Sequence, residues 1–237
     1  MRCAIMQPTY LPWCGYFNLI ASVDTFIFLD DAQLQKHSWH SRNRILLNNQ
    51  PHWITVPVQH NSLAQLLTET KLLDEKKWRR KHASMLLQSY ARHPFKDVVN
   101  EITTLIEQNN ETDIASLNIR LICFIARKLG INTQIRLASQ ILVDGQRTER
   151  ILNILRKIRA TDYLSPIGAA GYLENDRFTE QQDIKLSFQD FTPIPYIQSG
   201  MKSFIPYLSI VDILANLGWD ATATYIQNSK HLRVIYE

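Results

Sequence analysis

The chain has few cysteines and no long hydrophobic run. Its three cysteines, Cys3, Cys14 and Cys123, fit neither a CxxC metal motif nor a disulfide framework. No apolar stretch approaches the roughly 18 residues that a membrane-spanning helix needs. The first residues lack the pattern of a signal peptide and lead directly into a predicted strand. We therefore expect a cytoplasmic protein with no membrane insertion and no structural zinc.

The excess of positive charge is also small. The chain has 26 basic and 22 acidic residues, a formal net charge of +4. This balance favours a solvated surface of mixed sign over a nucleic-acid-binding face. The densest basic run, residues 76–82, is predicted to be helical with Trp78 packed inward, and phosphate is the natural ligand if the run binds anything. Histidine spacing matches no metal motif, so the sequence predicts no metal site and leaves the cofactor unknown.

Alternating strands and helices predict an α/β fold. Apolar runs at 3–6 and 25–29 flank a helical pattern, which indicates a βαβ unit with parallel strands. Further strands are predicted at 133–139, 162–166 and 185–191. Together they predict a single Rossmann-like domain with a mostly parallel sheet. A predicted hairpin at 45–58, or alternatively two extended segments flanking a turn, precedes helices between 74 and 129, so 59–130 is predicted to be a helical insertion or lid. The last of these helices is predicted to begin at Asp113 and to end at Gly130, and a later helix is predicted to be closed by Gly218.

Polar side chains follow the first two predicted strands, at the edge where ligands of parallel sheets bind. Asp30 and Asp31 can hold a divalent metal, act as a general base or bind a ribose hydroxyl; alternatively, they cap a turn. Arg42, Asn43 and Arg44 form the best anion clamp in the chain, with a surface ion pair as the alternative.

Aromatic side chains near these strand ends have two interpretations. Trp13, Trp39 and Trp53 can form a stacking wall, or each can pack in the core. Cys14 lies beside the predicted crevice without a convincing histidine partner, so a buried, inert thiol is favoured over a nucleophile.

Two later strand ends contribute further candidates. The GAAG run that begins at Gly168 either lets the backbone approach a ligand or forms a tight turn. Glu149 lies in the first turn of a predicted helix, where it can pair with Arg42, hold a substrate amine or simply cap the helix. The residues assigned to catalysis are Asp30, Asp31, Lys36 and Glu149. Those assigned to substrate binding are Gln7, Tyr10, Trp13, Gly15, Tyr16, Arg42, Asn43, Arg44, Ser139, Thr148, Arg150, Ser165, Gly168 and Tyr172.

These assignments carry a geometric expectation. Because parallel strands place their carboxyl ends at one edge of the sheet, we expect a single cavity there. The side chains expected to face it are Gln7, Tyr10, one of the two aspartates, Arg42, Glu149 and Gly168. The helices between 74 and 129 are expected to cover part of this cavity, with the basic run near its rim.

Six segments together resemble the WbqC-like family of bacterial proteins. They read MQPTYLPWCGYF, VDTFIFLDDAQLQKHSWHSRNRI, WITVPV, TERILNIL, YLSPIGAAGYL and LSIVDILANLG. The resemblance extends from Ala4 to Gly218. It implies a place in gene clusters for surface polysaccharide, including O-antigen, or for specialised metabolites.

A weaker resemblance links the first strand–helix–strand segment to HIGH-type nucleotidyltransferases and pantothenate synthetase-like enzymes. Their HxGH motif corresponds here to Trp13, Cys14, Gly15 and Tyr16, which keep the glycine and lack both histidines. Charge stabilisation on a phosphoryl group would have to come from Lys36 or Arg42. The departure argues against adenylyl or cytidylyl transfer but not against the fold.

Residues and resemblance together predict a group transferase. It would move an acyl, aminoacyl or nucleotidyl group onto a small polar acceptor such as an activated amino sugar. The expected partner is an anionic small molecule: a nucleotide, a nucleotide-sugar or an acyl donor. The alternative is a non-catalytic ligand-binding or assembly protein of the same pathway. The sequence is compatible with a homodimer.

Overall fold

The elements of the fold are given by a computed structural model that describes residues 1–176, 178, 183–228 and 232–233. The strands are β1 (Arg2–Met6), β2 (Thr25–Phe28), β3 (Arg42–Leu47), β4 (Gln50–Thr55), β5 (Gln134–Leu137), β6 (Asp162–Pro166), β7 (Lys185–Gln189) and β8 (Leu232–Arg233). The α-helices are α1 (Cys14–Ala21), α2 (Trp78–Ser89), α3 (Lys96–Gln108), α4 (Ile114–Lys128), α5 (Arg147–Lys157), α6 (Ala170–Asn175) and α7 (Ile210–Asn228).

Six strands form one sheet in the order β5-β2-β1-β6-β7-β8. The first five in this order are parallel, and β8 runs antiparallel to β7. Counted along the chain, the order is 3-2-1-4-5-6, which is the Rossmann order. The predicted α/β, Rossmann-like, mostly parallel sheet is therefore confirmed.

A separate antiparallel hairpin is formed by β3 and β4. Its two-residue turn, Asn48 and Asn49, has positive φ at both positions, 51° and 61°, as a type I′ turn requires. Asparagine tolerates this backbone region better than most residues. The hairpin stands beside the sheet and places β3 against the loop that follows β1.

Helices cover both faces of the large sheet. Ala4 and Phe26 point into the core on the side of α1, whereas Cys3 and Ile27 pack with residues of α5 on the other side. Successive strand residues alternate between the two faces, so this division follows from the pleat. The carboxyl edge of the sheet consequently has two sides, an α1 side and an α5 side.

The segment predicted as an insertion contains α2, α3 and α4, which extend the core on the α1 side. A helix was expected from Asp74, but α2 begins at Trp78, because Lys77 has a φ of 49° after a short 3-10 turn. The Asp74 carboxylate instead accepts a hydrogen bond from Trp78 Nε1, at 2.9 Å. Among the described residues, no helix combines the length and the apolar character needed to cross a membrane.

The C-terminal helical region matches the expectation at Gly218 and extends beyond it. A helix closed by Gly218 was predicted, and the φ of 72° and ψ of −174° at this residue are non-helical, so the helix that begins at Ile210 breaks there. A second helical segment, which was not predicted, follows to Asn228 and completes α7. A Cβ at Gly218 would lie 2.6 Å from the Phe95 ring, so close packing also requires glycine.

Candidate ligand-binding site

A cavity of about 400 Å³ lies at the carboxyl end of β1, on the α1 side of the sheet. Four parts of the chain form its wall: the end of β1 with its following loop, the start of α1, the region around β3, and the segment before α7. A cavity of this size suits a small-molecule ligand. The lining residues are Met6, Thr9, Pro12, Trp13, Tyr16, Trp39, Asn43, Arg44 and Tyr207.

The loop between β1 and α1 is held in a strained conformation. Leu11 is fully buried and has a φ of 42°, a left-handed value that costs a non-glycine residue about 1–2 kcal/mol. Its carbonyl oxygen accepts hydrogen bonds from Asn43 Nδ2 at 2.8 Å and from Ser209 Oγ at 2.9 Å. Asn43 Nδ2 also donates to the Tyr10 carbonyl, at 3.0 Å. Asn43 therefore shapes the wall of the cavity and has its amide nitrogen engaged within the chain.

Four of the nine lining residues are aromatic: Trp13, Tyr16, Trp39 and Tyr207. The Trp13 ring centroid lies 5.1 Å from that of Tyr207 and 5.3 Å from that of Phe191. The indole also rests on the first turn of α1, since a Cβ at Gly15 would lie 2.3 Å from it. Gly15 is thus required for the position of Trp13. The wall offers flat apolar faces on which a ligand ring can stack.

Two arginines lie at this site without a carboxylate partner. Arg44 lines the cavity and donates from Nη2 to the Tyr207 carbonyl at 3.3 Å. The Arg42 guanidinium stacks on Trp53, 4.3 Å from the ring centroid. Within the described ranges, neither arginine forms a salt bridge, and the Nε of each is buried without a hydrogen-bond partner. Such guanidinium groups have free capacity to bind an anion.

Two buried histidines contact the loop after β1, which forms part of the cavity wall. His40 Nε2 lies 2.9 Å from Gln7 Oε1, and the hydroxyl of fully buried Tyr10 lies 2.9 Å from His82 Nδ1. Burial lowers the pKa of both histidines to about 4, so both rings are neutral near neutral pH. A neutral His82 accepts the hydrogen bond of the Tyr10 hydroxyl. These contacts fix the side chains of the loop after β1.

Nucleophilic chemistry finds little support at the cavity. Burial raises the pKa of the Cys14 thiol to about 12, so it is not a thiolate near neutral pH. The Tyr16 hydroxyl donates to the Gln7 carbonyl at 2.9 Å, and burial raises its pKa well above the usual value. Both groups consequently stay protonated, and the predicted inert role of Cys14 agrees with its surroundings.

The predicted acidic residues lie at the same edge of the sheet but bind partners on the α5 side. Asp30 is buried and accepts hydrogen bonds from Ser139 N at 3.0 Å and Ser139 Oγ at 2.6 Å. Asp31 forms a salt bridge with Arg150. Thr148 Oγ1 donates to Asp176 at 2.7 Å. Because α5 packs on the face opposite α1, its first turn cannot share the cavity wall with Trp13 and Arg44.

The expectation that six residues face a single cavity is therefore wrong. Tyr10 has no exposed surface, and Asp30 is enclosed with Ser139. Glu149 is exposed at the start of α5, and Gly168 lies in a 3-10 turn after β6. The error came from treating the edge as one site, although alternating side chains divide it between two faces. The helical insertion contributes none of the nine lining residues and supports Tyr10 through His82 instead.

The remaining candidates are dispersed. Lys36 is exposed in the loop between β2 and β3, and Ser165 is buried in β6. A Cβ at Gly168 would meet nothing within 4 Å, so neither close approach nor backbone strain requires glycine there. Tyr172 belongs to α6, but its side chain lies outside the described residues. The catalytic and binding roles assigned to these residues stay predictions.

Five lining residues are absent from the residues assigned to catalysis or binding: Met6, Thr9, Pro12, Tyr207 and Trp39, of which Trp39 was considered only as part of a stacking wall. The first three adjoin assigned residues of the loop after β1 and could have been found by including the whole loop. Tyr207 is brought in by long-range backbone bonds, from Ser209 N to the Arg44 carbonyl and from Ile210 N to the Pro12 carbonyl, both at 2.9 Å. No local pattern signals that contact.

The sheet order and the cavity beside β1 define a Rossmann-like α/β protein with a candidate small-molecule site. The chain belongs to the WbqC-like protein family, whose model matches residues 7–224. It is 36% identical over 225 residues to the uncharacterized protein Rv1507c of Mycobacterium tuberculosis, an alignment that covers 93% of this chain and 95% of that protein. No solved structure matches the chain at a significant level.

Proposed function

We propose that the cavity binds an anionic small molecule that carries a ring, such as a nucleotide or a nucleotide-sugar. The observation that carries the proposal is the placement of Arg44. In the described chain, its guanidinium pairs with no carboxylate, and it borders a wall that is otherwise mainly apolar. The ring would stack near Trp13, and the anionic group would bind Arg44.

The reaction proposed for this site is the transfer of an acyl, aminoacyl or nucleotidyl group to a small polar acceptor. An activated amino sugar is the proposed acceptor, in surface-polysaccharide or specialised-metabolite biosynthesis. Membership of the WbqC-like family supports this context, and the Rossmann order supports ligand binding at this edge. Since Cys14 and Tyr16 stay protonated, catalysis would rest on positioning the reactants and on charge stabilisation by Arg44.

A second candidate is a binding protein of the same pathway that performs no chemistry. One observation favours it: none of the nine lining residues is a carboxylate or a histidine. The nearest predicted acids are committed elsewhere, Asp30 to Ser139 and Asp31 to Arg150. Because the wall lacks a general base, such a protein would bind its ligand and release it to another protein without changing it.

Calorimetric titration of wild type and Arg44→Gln tests the binding proposal. Nucleotides, nucleotide-sugars, acyl-CoAs and neutral sugars are first screened by thermal shift, where a ligand at 100 times its Kd adds about 2.7 kcal/mol of stability. Arg44→Gln should weaken binding about tenfold or more, because a hydrogen bond to a charged group contributes roughly 1.5–3 kcal/mol. Exposed Arg92→Gln is the charge-matched control. Stabilisation by neutral sugars alone, or unchanged affinity in Arg44→Gln, contradicts the proposal.

A measurement of product formation distinguishes the transferase from the binding protein. The bound donor is incubated with amino-sugar acceptors, and products are followed by mass spectrometry. A product that depends on the protein and disappears in Arg44→Gln supports the transferase. If the donor is recovered unchanged with every acceptor while binding persists, the binding protein is favoured.

A further inference from the structure

We infer that the anionic part of the ligand is a diphosphate, held jointly by Arg42 and Arg44 at the mouth of the cavity. The inference rests on the proposed function, because it specifies the anionic group of the ligand proposed for this cavity. Its basis is the arrangement of two guanidinium groups around one indole ring.

The hairpin brings these side chains together. Arg42 and Arg44 are two residues apart on β3, so both project from the same face of the strand. Trp53 is the residue opposite Arg44 in the register of β3 and β4. The guanidinium carbon lies 4.3 Å from the indole centroid for Arg42 and 5.9 Å for Arg44. Both guanidinium groups are therefore held against one indole ring on the hairpin.

This arrangement leaves charge uncompensated. Two neighbouring cations repel each other, and cation–π contacts with one indole offset that repulsion only in part. In the described part of the chain, no carboxylate pairs with either arginine. Arg79 and Arg150, by contrast, pair with Asp74 and Asp31. The hairpin arginines are thus available to a ligand that carries negative charge.

A diphosphate matches this pair better than a single anion does. One carboxylate or one phosphate can fill the hydrogen-bonding fork of one guanidinium. Two linked phosphoryl groups can fill both forks and neutralise both charges.

The cavity continues directly from this pair. Trp39 lines the cavity and also stacks against Trp53, with ring centroids 5.1 Å apart. Arg44 likewise belongs to both the cavity wall and the pair. A ligand whose diphosphate lies on the two arginines would place its attached group among the aromatic rings. A nucleobase and an isoprenoid chain both satisfy that wall, and both occur linked to a diphosphate.

Matched pairs of ligands test the inference by calorimetry. The probes are AMP against ADP and geranyl phosphate against geranyl diphosphate, titrated into the full chain. In the wild-type protein, the diphosphate member of at least one pair should bind about tenfold tighter than its monophosphate, the value of one additional charged hydrogen-bonding group. The pair that shows this preference identifies the source as a nucleotide or a lipid carrier.

Substitution of each arginine then tests whether Arg42 and Arg44 cause the preference for a diphosphate over a monophosphate. Arg42→Gln and Arg44→Gln should each reduce the ratio of the two affinities towards one, while Arg92→Gln leaves it unchanged. Arg42→Lys retains the positive charge and should keep part of the preference for the diphosphate. If it does, the loss in Arg42→Gln comes from the missing charge and not from misfolding. Circular dichroism checks the fold of each variant.

The outcomes separate this inference from the proposed function. If monophosphates and diphosphates bind equally and depend on Arg44 alone, the diphosphate inference is overturned and the proposed site stands. A diphosphate preference that survives Arg42→Gln also overturns it. If neither a nucleotide nor an isoprenoid phosphate binds, the proposed function fails, and the inference fails with it. If only geranyl diphosphate binds, the ring-bearing ligand of the proposed function is wrong and the diphosphate inference stands.

Discussion

On the α5 side of the carboxyl edge, acidic side chains are already bound by other groups of the chain. Asp31 binds Arg150, and Asp30 accepts two hydrogen bonds from Ser139. On the α1 side, Arg42 and Arg44 stack on an indole and have no carboxylate partner among the described residues. Both sides lie at the edge where Rossmann-like sheets bind ligands, and in the described residues the α1 side combines unpaired arginines with a cavity.

The difference between the two sides distinguishes charged side chains that stabilise the fold from charged side chains that are open to a ligand. A carboxylate already satisfied by its own chain has little hydrogen-bonding capacity left for a ligand, and its removal mainly costs stability. A guanidinium with free donors contributes little to folding, and its removal should mainly cost affinity. Stability and affinity measurements on the same variants therefore test the comparison directly.

The largest expected effect is a loss of stability in acid, caused by the histidines behind the cavity. Burial lowers the pKa of His40 and of His82 to about 4, from an ordinary value of 6.5. Between these values the unfolded chain binds protons that the folded chain excludes, so the free energy of unfolding falls as the pH falls from 6.5 towards 4. Each histidine contributes at most about 3 kcal/mol to this decrease. Urea denaturation across this pH range measures it.

Substitution of His82 tests whether the loss of stability in acid comes from the buried histidines on the α1 side. His82→Gln keeps an acceptor for the Tyr10 hydroxyl and removes the titrating ring, so it should flatten the pH dependence. The exposed residue His52 provides the control, since His52→Gln removes an imidazole outside the core. Equal slopes in wild type and His82→Gln would refute the assignment.

Asp30→Asn is expected to have the next largest effect, and to affect only stability. The amide replaces a carboxylate that accepts two hydrogen bonds from Ser139, so the free energy of unfolding should fall by about 2 kcal/mol. Ser139→Ala removes the hydroxyl donor alone and should cost less. Affinity for a ring-bearing anion should stay at the wild-type value in both variants. Weakened binding without lost stability would mean that the two sides of the edge act as one site.

Most of the fold was predictable because local patterns encode it. Asp113 was expected to begin a helix, and its side chain accepts a hydrogen bond from Ser116 N at the start of α4. Gly130, with φ 69°, follows the end of the same helix as expected. The break at Gly218 was recognised, but the helical segment after it was not, because the sequence from 219 onwards has no strong apolar pattern.

The candidate site was predictable only in part. Trp13, Tyr16, Asn43 and Arg44 were assigned because they follow β1 or lie at the predicted anion clamp, and all four line the cavity. The strand pattern did not reveal which side of the edge each residue faces. That depends on α5 packing opposite α1, which is a property of the crossover connections. Asp31, which binds Arg150 of α5, was misplaced for this reason.

The smallest effects come from two glycines that both belong to the predicted site. Gly15→Ala places a methyl group 2.3 Å from the present position of the Trp13 ring, so the indole must leave the first turn of α1. Alanine favours a helix over glycine by about 1 kcal/mol, so helix propensity alone predicts a gain in stability. Affinity for the ring-bearing anion should nevertheless fall about tenfold, the equivalent of 1.4 kcal/mol, because the stacking wall is displaced. Calorimetric titration measures this loss.

Gly168→Ala is the matched control on the other side of the crevice. A Cβ there meets no atom within 4 Å, and Gly168 is absent from the residues with positive φ. Its free energy of unfolding should change by no more than about 0.5 kcal/mol, and its affinity should not change. Equal losses of affinity in Gly15→Ala and Gly168→Ala would place the ligand across both sides of the edge. A loss confined to Gly15→Ala restricts the ligand to the α1 side, where the aromatic wall and the unpaired arginines lie.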